Sequence, residues 1–162
     1  MTATLDQTDR KILHLLQRDA RMTNAAIATE VGLTAPSVFE RIRKLEQRGV
    51  IKGYTALIDP ASLGKVLTAF IRITLADGDD YAAGEDALRA DPDVLECYHV
   101  AGEDCFILKT MVRSPADLDA LLRRIKAQTT VQRSVTMIAL STLKEASPID
   151  VSDRARTPAE GG

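Results

Sequence analysis

Residues 27–54 of this chain read IATEVGLTAPSVFERIRKLEQRGVIKGY. They hold a short helix, a turn at Gly32 and a longer helix opened by Thr34. Gly32 supplies the positive φ that a tight turn between helices needs. Thr34 is an N-cap, and Pro36 falls in the first turn, where its missing N–H costs little. Val38, Ile42 and Leu45 follow at i, i+4 and i+7 and form a buried stripe. Ser37, Arg41, Lys44 and Arg48 repeat at the same spacing, about 100° around the helix. Glu40, Arg43 and Gln47 lie further round, and Gly49 stops the helix. This is the sequence form of a helix-turn-helix, whose second helix enters the DNA major groove.

A charged face on an amphipathic helix is ordinarily just solvated. Three features favour DNA here. A short helix and a glycine turn precede the helix. Its start is small and polar (Thr34, Ala35, Ser37), which permits close approach to base edges. Its cations, Arg41, Arg43, Lys44 and Arg48, outnumber Glu40 and Glu46. Ser37 and Arg41 are the expected base-edge contacts, with Lys44, Arg48 and Arg21 on phosphates.

Upstream, Asp6 caps a first helix with Asp9 at its third position, and Ile12, Leu13 and Leu16 form its apolar face. Thr23 caps the second helix, with Ile27 and Val31 inward and Leu33 plugging the angle that follows. Downstream, Val50–Ile58 alternates as a strand until Asp59-Pro60 breaks it. Ile51–Ile58 is expected to tether the DNA-binding part to the rest and to be available for pairing with a second subunit. Asp59–Gly64 has turn composition and marks the domain boundary. The expected division is residues 1–50, a hinge at 51–64, a second domain at 65–145 and a disordered tail at 146–162.

The second domain reads as a split repeat. Val66–Leu75 alternates as a strand, with Ala69, Ile71, Ile73 and Leu75 on one face. Asp79–Ala90 is a helix, Val94–Ala101 a strand, Gly102–Asp104 a turn and Cys105–Val112 a strand. Ser114-Pro115-Ala116-Asp117 starts a helix with cap, proline and acid in place. Leu118, Leu121, Leu122 and Ile125 give its core stripe, and Val131–Leu143 is a last strand. The order β-α-β-β-α-β is the ferredoxin-like arrangement. Its helices cover one sheet face. Phe70, Val100, Ile107, Met111 and Ile138 make the other too apolar for water, so it is expected to be buried against another copy. The fold class is therefore α+β, with a winged-helix-like N-terminal domain and a ferredoxin-like C-terminal one.

The net charge of −2 argues against a nucleic-acid binder, but its distribution does not. Residues 1–60 hold nine Lys/Arg against seven Asp/Glu, net +2; residues 61–162 hold twelve against sixteen, net −4. Phosphate contact depends on local basic character. With two cysteines, no apolar run long enough to span a membrane and no secretory core at the start, a cytoplasmic, nucleoid-associated location is expected.

LDQTDRKIL, VGLTAPSVFERIRKLEQRGVIKGYTALIDP and CYHVAGEDCFILKT, in this order, resemble the Lrp/AsnC (leucine-responsive, feast/famine) family of transcription regulators over residues 5–145. The resemblance implies a homodimer, often a ring of dimers up to an octamer, that binds double-stranded DNA. It also implies a small effector, usually an amino acid, at the turn Val100-Ala101-Gly102-Glu103-Asp104-Cys105-Phe106. The family pattern there resembles Gly-Asp-x-Asp followed by an aromatic. This chain has Gly102, Glu103 and Phe106, but Cys105 stands where the second acid is common, beside Asp104.

No catalytic arrangement emerges: two histidines, no phosphate loop and no paired carboxylates on one face leave little for acid–base work. Cys97, His99 and Cys105 suggest a metal cluster. With Ala101 pairing near Phe106 and Cys97 near Thr110, however, the thiols lie roughly 15–17 Å apart along the hairpin. That exceeds the reach of a disulfide or a shared metal within one chain. No metal or cofactor is expected. Two rival classes remain, a stand-alone metabolite-binding module and an architectural protein that compacts DNA with little sequence preference. The outward cations of the third helix speak against the first. Footprinting separates the second from a regulator.

Overall fold

The computed structural model describes residues 5–76 and 81–152. The chain divides into two compact units, residues 1–56 with 144–162, and residues 57–143.

In the first unit, α1 (Gln7–Arg18) opens with a capping box: Asp6 accepts from the Asp9 N–H at 2.7 Å, and the Asp9 carboxylate reaches back to the Asp6 N–H. α2 (Asn24–Val31) is capped by Thr23 and ends at Gly32, whose φ of 70° is the left-handed turn the sequence calls for. α3 (Ala35–Gln47) follows directly, capped by Thr34. The three helices close on Ile12, Ile27, Ala28 and Val38, with Leu15, Leu16, Met22, Val31, Ala35 and Ile42 packed around them.

Residues 51–59 form neither helix nor strand, which corrects the expected strand at Ile51–Ile58. A strand needs a partner for its backbone groups, and none of the described residues pairs with this segment as a strand. Its start is nevertheless anchored. The Tyr54 hydroxyl donates to Glu46 Oε1 on α3 at 2.9 Å, and burial together with that carboxylate pushes the phenol up to about 12.

The second unit begins with a 3-10 turn at Pro60–Leu63. It continues as β1 (Leu67–Leu75), α4 (Tyr81–Ala90), β2 (Val94–His99), β3 (Phe106–Val112), α5 (Pro115–Gln128) and β4 (Val131–Ile138). The strands form one antiparallel sheet in the order β2-β3-β1-β4, the ferredoxin-like topology. Asp79 and Asp80, expected in α4, lie outside the described residues. β4 stops at Ile138, short of the expected Leu143.

β1 alternates as expected. Ala69, Ile71, Ile73 and Leu75 are buried with Leu88 of α4, Leu108 of β3 and Leu121 and Ile125 of α5. Burying that many aliphatic side chains, at about 1.5–3 kcal/mol each, is what holds the sheet to its helices. On the opposite face Phe70, Tyr98, Val135 and Met137 are 37–55% exposed.

The β2–β3 register differs from expectation. Cys97 faces Leu108 and His99 faces Phe106, where Thr110 and Ala101 partnerships were expected. The turn therefore spans residues 100–105, closed by the Val100 N–H donating to the Cys105 carbonyl at 2.9 Å. A slip of two residues leaves every side chain on its original face, so the alternation pattern could not reveal it. Cys97 and Cys105 are both free thiols.

The segment from 146 onward was expected to be disordered. Residues 153–162 lie outside the described residues, but 149–151 are hydrogen-bonded to α1. Gln17 exchanges two bonds with the Ile149 backbone, and Arg10 donates to the Val151 carbonyl. The interaction uses backbone groups of the tail, which leave no trace in side-chain periodicity.

Candidate nucleic-acid interface and effector turn

α3 is oriented by its buried side. Val38 is fully buried and Leu45 is 1% exposed. At 100° per residue, the direction opposite that pair is occupied by Pro36, Glu40, Arg43 and Gln47, and all four are exposed. Ser37, Lys44 and Arg48 flank them and are also exposed. The N-terminal end is set by Thr34, whose Oγ1 accepts from the Ser37 N–H at 3.3 Å and lies 2.9 Å from the Ser37 hydroxyl oxygen. Small side chains at this end leave the helix free to approach a groove.

Arg41 does not share this exposure. Its Nη1 lies 2.7 Å from Asp6 Oδ2 and 2.7 Å from Asp9 Oδ1. The guanidinium is thus committed to the N-terminus of α1, where it ties the first helix to the third. The Asp9 N–H, then Arg41, hold the Asp6 carboxyl below its usual range, and the two carboxylates raise Arg41. The Arg41 side chain nevertheless stays 34% exposed, on the side of α3 that also carries Ser37, Lys44 and Arg48. Helical spacing shows which side of α3 the residue occupies, but not that two carboxylates from α1 arrive there.

Arg43, counted among the cations of the helix, was assigned no contact from the sequence. It is half-exposed, opposite the core, and its Nη2 donates to Glu40 Oε2 at 2.9 Å one turn earlier. Its angular position relative to Val38 and Leu45 was the available signal. Arg21, expected on phosphate, is exposed just before α2.

The 100–105 turn sits differently from a set of seven equivalent lining residues. Ala101, Gly102 and Glu103 are exposed, and Val100 and Cys105 are half-buried. Asp104 is 7% exposed. Its carboxylate accepts from Arg72 Nε at 2.6 Å and Arg133 Nη2 at 3.1 Å, and these two arginines hold it below the usual carboxylate range. Phe106 is 2% exposed within the sheet core, stacked on His99 at 5.0 Å. Gly102, with φ of 151°, carries the reversal. The polar groups that the turn offers outward are the backbone of Ala101 and Gly102 and the Glu103 carboxylate, which lies 3.6 Å from Arg133 Nη2; the Glu103 carbonyl accepts from the Thr74 hydroxyl at 3.3 Å.

Among the described residues, no group of three His, Cys, Asp or Glu side chains converges as a metal site. No helix there is long and apolar enough to cross a membrane.

Two family models cover this arrangement. Residues 5–52 match a winged helix-turn-helix DNA-binding model, and residues 68–149 match the Lrp/AsnC ligand binding domain. The chain is 38% identical over 138 residues to the HTH-type transcriptional regulator LrpA of Mycobacterium tuberculosis, across 85% of this chain and 92% of the relative. Among solved structures it resembles an AsnC family transcriptional regulator from Agrobacterium tumefaciens, at 30% identity and a TM-score of 0.83 over 87% of this chain and 94% of the other. It also resembles a transcriptional regulator from Neisseria meningitidis in complex with L-methionine, at 29% identity and a TM-score of 0.85 over 90% and 96%. A helix-turn-helix with an outward cationic face, followed by a ferredoxin-like domain matched by the family's ligand-binding model, makes this chain a member of the Lrp/AsnC family of transcriptional regulators.

Proposed function

We propose that the protein reads DNA through the face of α3 that carries Ser37, Glu40, Arg43 and Lys44, as one of at least two copies. The observation that carries this is the division of labour on α3. Arg41 is held by Asp6 and Asp9, whereas Arg43, Lys44 and Ser37 lie exposed away from Val38 and Leu45. Ser37 and Arg43 contact base edges. Thr34, Lys44 and Arg48 contact phosphates at the helix ends. Arg41 is a positioning residue that keeps α1 and α3 in register. Footprinting on fragments selected from a random DNA library tests this. Discrete pseudo-palindromic sites support a regulator. Uniform protection at all sequences would instead support an architectural protein.

The assembly is a homodimer through the open sheet face, with larger rings built from it. Phe70, Tyr98, Val135 and Met137 expose enough apolar surface to favour a second copy, and a two-fold pair matches two half-sites. A folded monomer at micromolar concentration in analytical ultracentrifugation would sink this.

The effector is a small amino acid bound at the 100–105 turn. The Neisseria meningitidis relative was solved with L-methionine, which supports that ligand class. Because Asp104 is held by both Arg72 and Arg133, the more exposed Glu103, 3.6 Å from Arg133 Nη2, is the carboxylate placed to meet an ammonium group, and the exposed backbone of Ala101 and Gly102 meets the ligand carboxylate. A thermal-shift screen of the twenty amino acids, L-methionine included, reads this directly, since a ligand that binds only the folded state raises Tm. The site of action is the cytoplasm, on the nucleoid.

A further inference from the structure

Pro148–Ser152 has no part in DNA or effector binding as described above, yet it is seated on α1. Gln17 Nε2 donates to the Ile149 carbonyl at 3.0 Å, and Gln17 Oε1 accepts from the Ile149 N–H at 2.7 Å. One side-chain amide thus offers the donor and acceptor that a neighbouring strand would offer. Arg10 Nη1 donates to the Val151 carbonyl at 3.0 Å. Arg10 and Gln17 are seven residues apart, so they share one face of α1. Residues 149 and 151 are two apart, so in an extended segment their carbonyls point the same way. The match is one of backbone groups to a helix face. Val151 is half-buried there, whereas Ile149 is exposed. Few apolar groups are buried, so the segment is held mainly by hydrogen bonds that water can replace, and it can be released.

Residues 1–56 and 144–162 form one unit, so the sensor, residues 57–143, is an insertion within it. One connection is the chain at residues 51–58. The other is this docked segment, reached through the chain that leaves β4. We propose that Pro148–Ser152 is a releasable second connection that limits the freedom of the DNA-binding unit and thereby sets how strictly an assembly reads half-site spacing. The proposal rests on the dimeric DNA-binding reading above. A single extended connection lets each recognition helix search widely. A second one pre-organises it, which lowers the entropic cost of engaging two half-sites together and raises the cost of a wrong spacing. The seat is passed on through α1, whose N-terminus is fastened to α3 by Arg41.

The test uses full-length protein, the Gln17→Ala variant and a chain ended after Ser147. Gln17 is an exposed side chain, so its removal leaves the helical core intact. Hydrogen exchange of the Ile149 amide, the N–H that Gln17 holds, should be about tenfold slower than in a free peptide in the wild type and unprotected in Gln17→Ala. DNA affinity is then measured on a library-selected site and on the same site with about half a helical turn, five base pairs, inserted between its halves. The wild type should lose far more affinity on insertion than either variant. Unprotected exchange in the wild type overturns the docking. An equal spacing penalty in all three proteins overturns the coupling. Wild-type protein that binds no DNA sequence overturns the regulator reading and the coupling together, while the exchange result still decides the docking.

Discussion

The Arg41 guanidinium lies 2.7 Å from a carboxylate oxygen of Asp9, whose side chain is 11% exposed. This joins the first turn of α1 to the middle of α3. Removing the arginine leaves a mostly buried carboxylate without its cation. Arg41→Ala is therefore expected to destabilise the unit by about 1–3 kcal/mol, with Arg41→Lys restoring part of the loss. Thermal melting measures this. DNA affinity should fall while the preferred base at every position stays the same, because Arg41 sets the position of α3 without reading a base. A selected site with one relaxed base would return Arg41 to base contact.

Arg43 and Lys44 are adjacent in sequence but should fail differently. Arg43→Ala is expected to cost about 1–3 kcal/mol on the preferred site and to relax one base position. Lys44→Ala should weaken all sequences alike and reduce the salt slope by about one counterion. Affinity titrations at several salt concentrations, on preferred and scrambled DNA, separate the two.

The clamp of Arg72 and Arg133 on Asp104 makes a pH prediction. The folded Asp104 carboxyl titrates below its unfolded value, so its stabilisation is complete above the ordinary carboxylate range near 4. It is lost as pH falls through the lowered value. Asp104→Asn should lower Tm at pH 7 and close the gap to the wild type as the buffer is made acid. Melting curves from pH 7 down to pH 2 check this. A gap that widens in acid would mean that Asp104 is not held as an anion.

Gly32 holds φ of 70° with open space where a Cβ would stand. Gly32→Ala therefore meets no clash, only the backbone cost of the left-handed conformation, about 1 kcal/mol. Chemical denaturation should show a fall of that size without a change in m-value.

Much of the fold was legible because its signals are local. Gly32, Thr34 and the Ser114-Pro115 start act within a turn of their own position, and the 69–75 alternation needs only a sheet to bury it. Three features escaped for one reason: each depends on which backbone groups pair, and side-chain alternation does not report that. Ile51–Ile58 alternates like a strand but has no strand beside it among the described residues. The β2–β3 hairpin slipped by two residues, which alternation cannot detect. Ile149 and Val151 use their backbones to meet Gln17 and Arg10, more than a hundred residues away.

By itself the sequence determined the helix-turn-helix, the βαββαβ order and the location of the basic face, since caps, glycines and periodicity are properties of neighbouring residues. Tertiary structure alone decided what the side chains on those faces do. It paired Arg41 with Asp6 and Asp9 of another helix, left Arg43 on the outer face beside Glu40 and locked Asp104 between Arg72 and Arg133. Charge and periodicity place a side chain on a face. Only the approach of another segment determines whether that charge is already neutralised or still available to DNA or an effector.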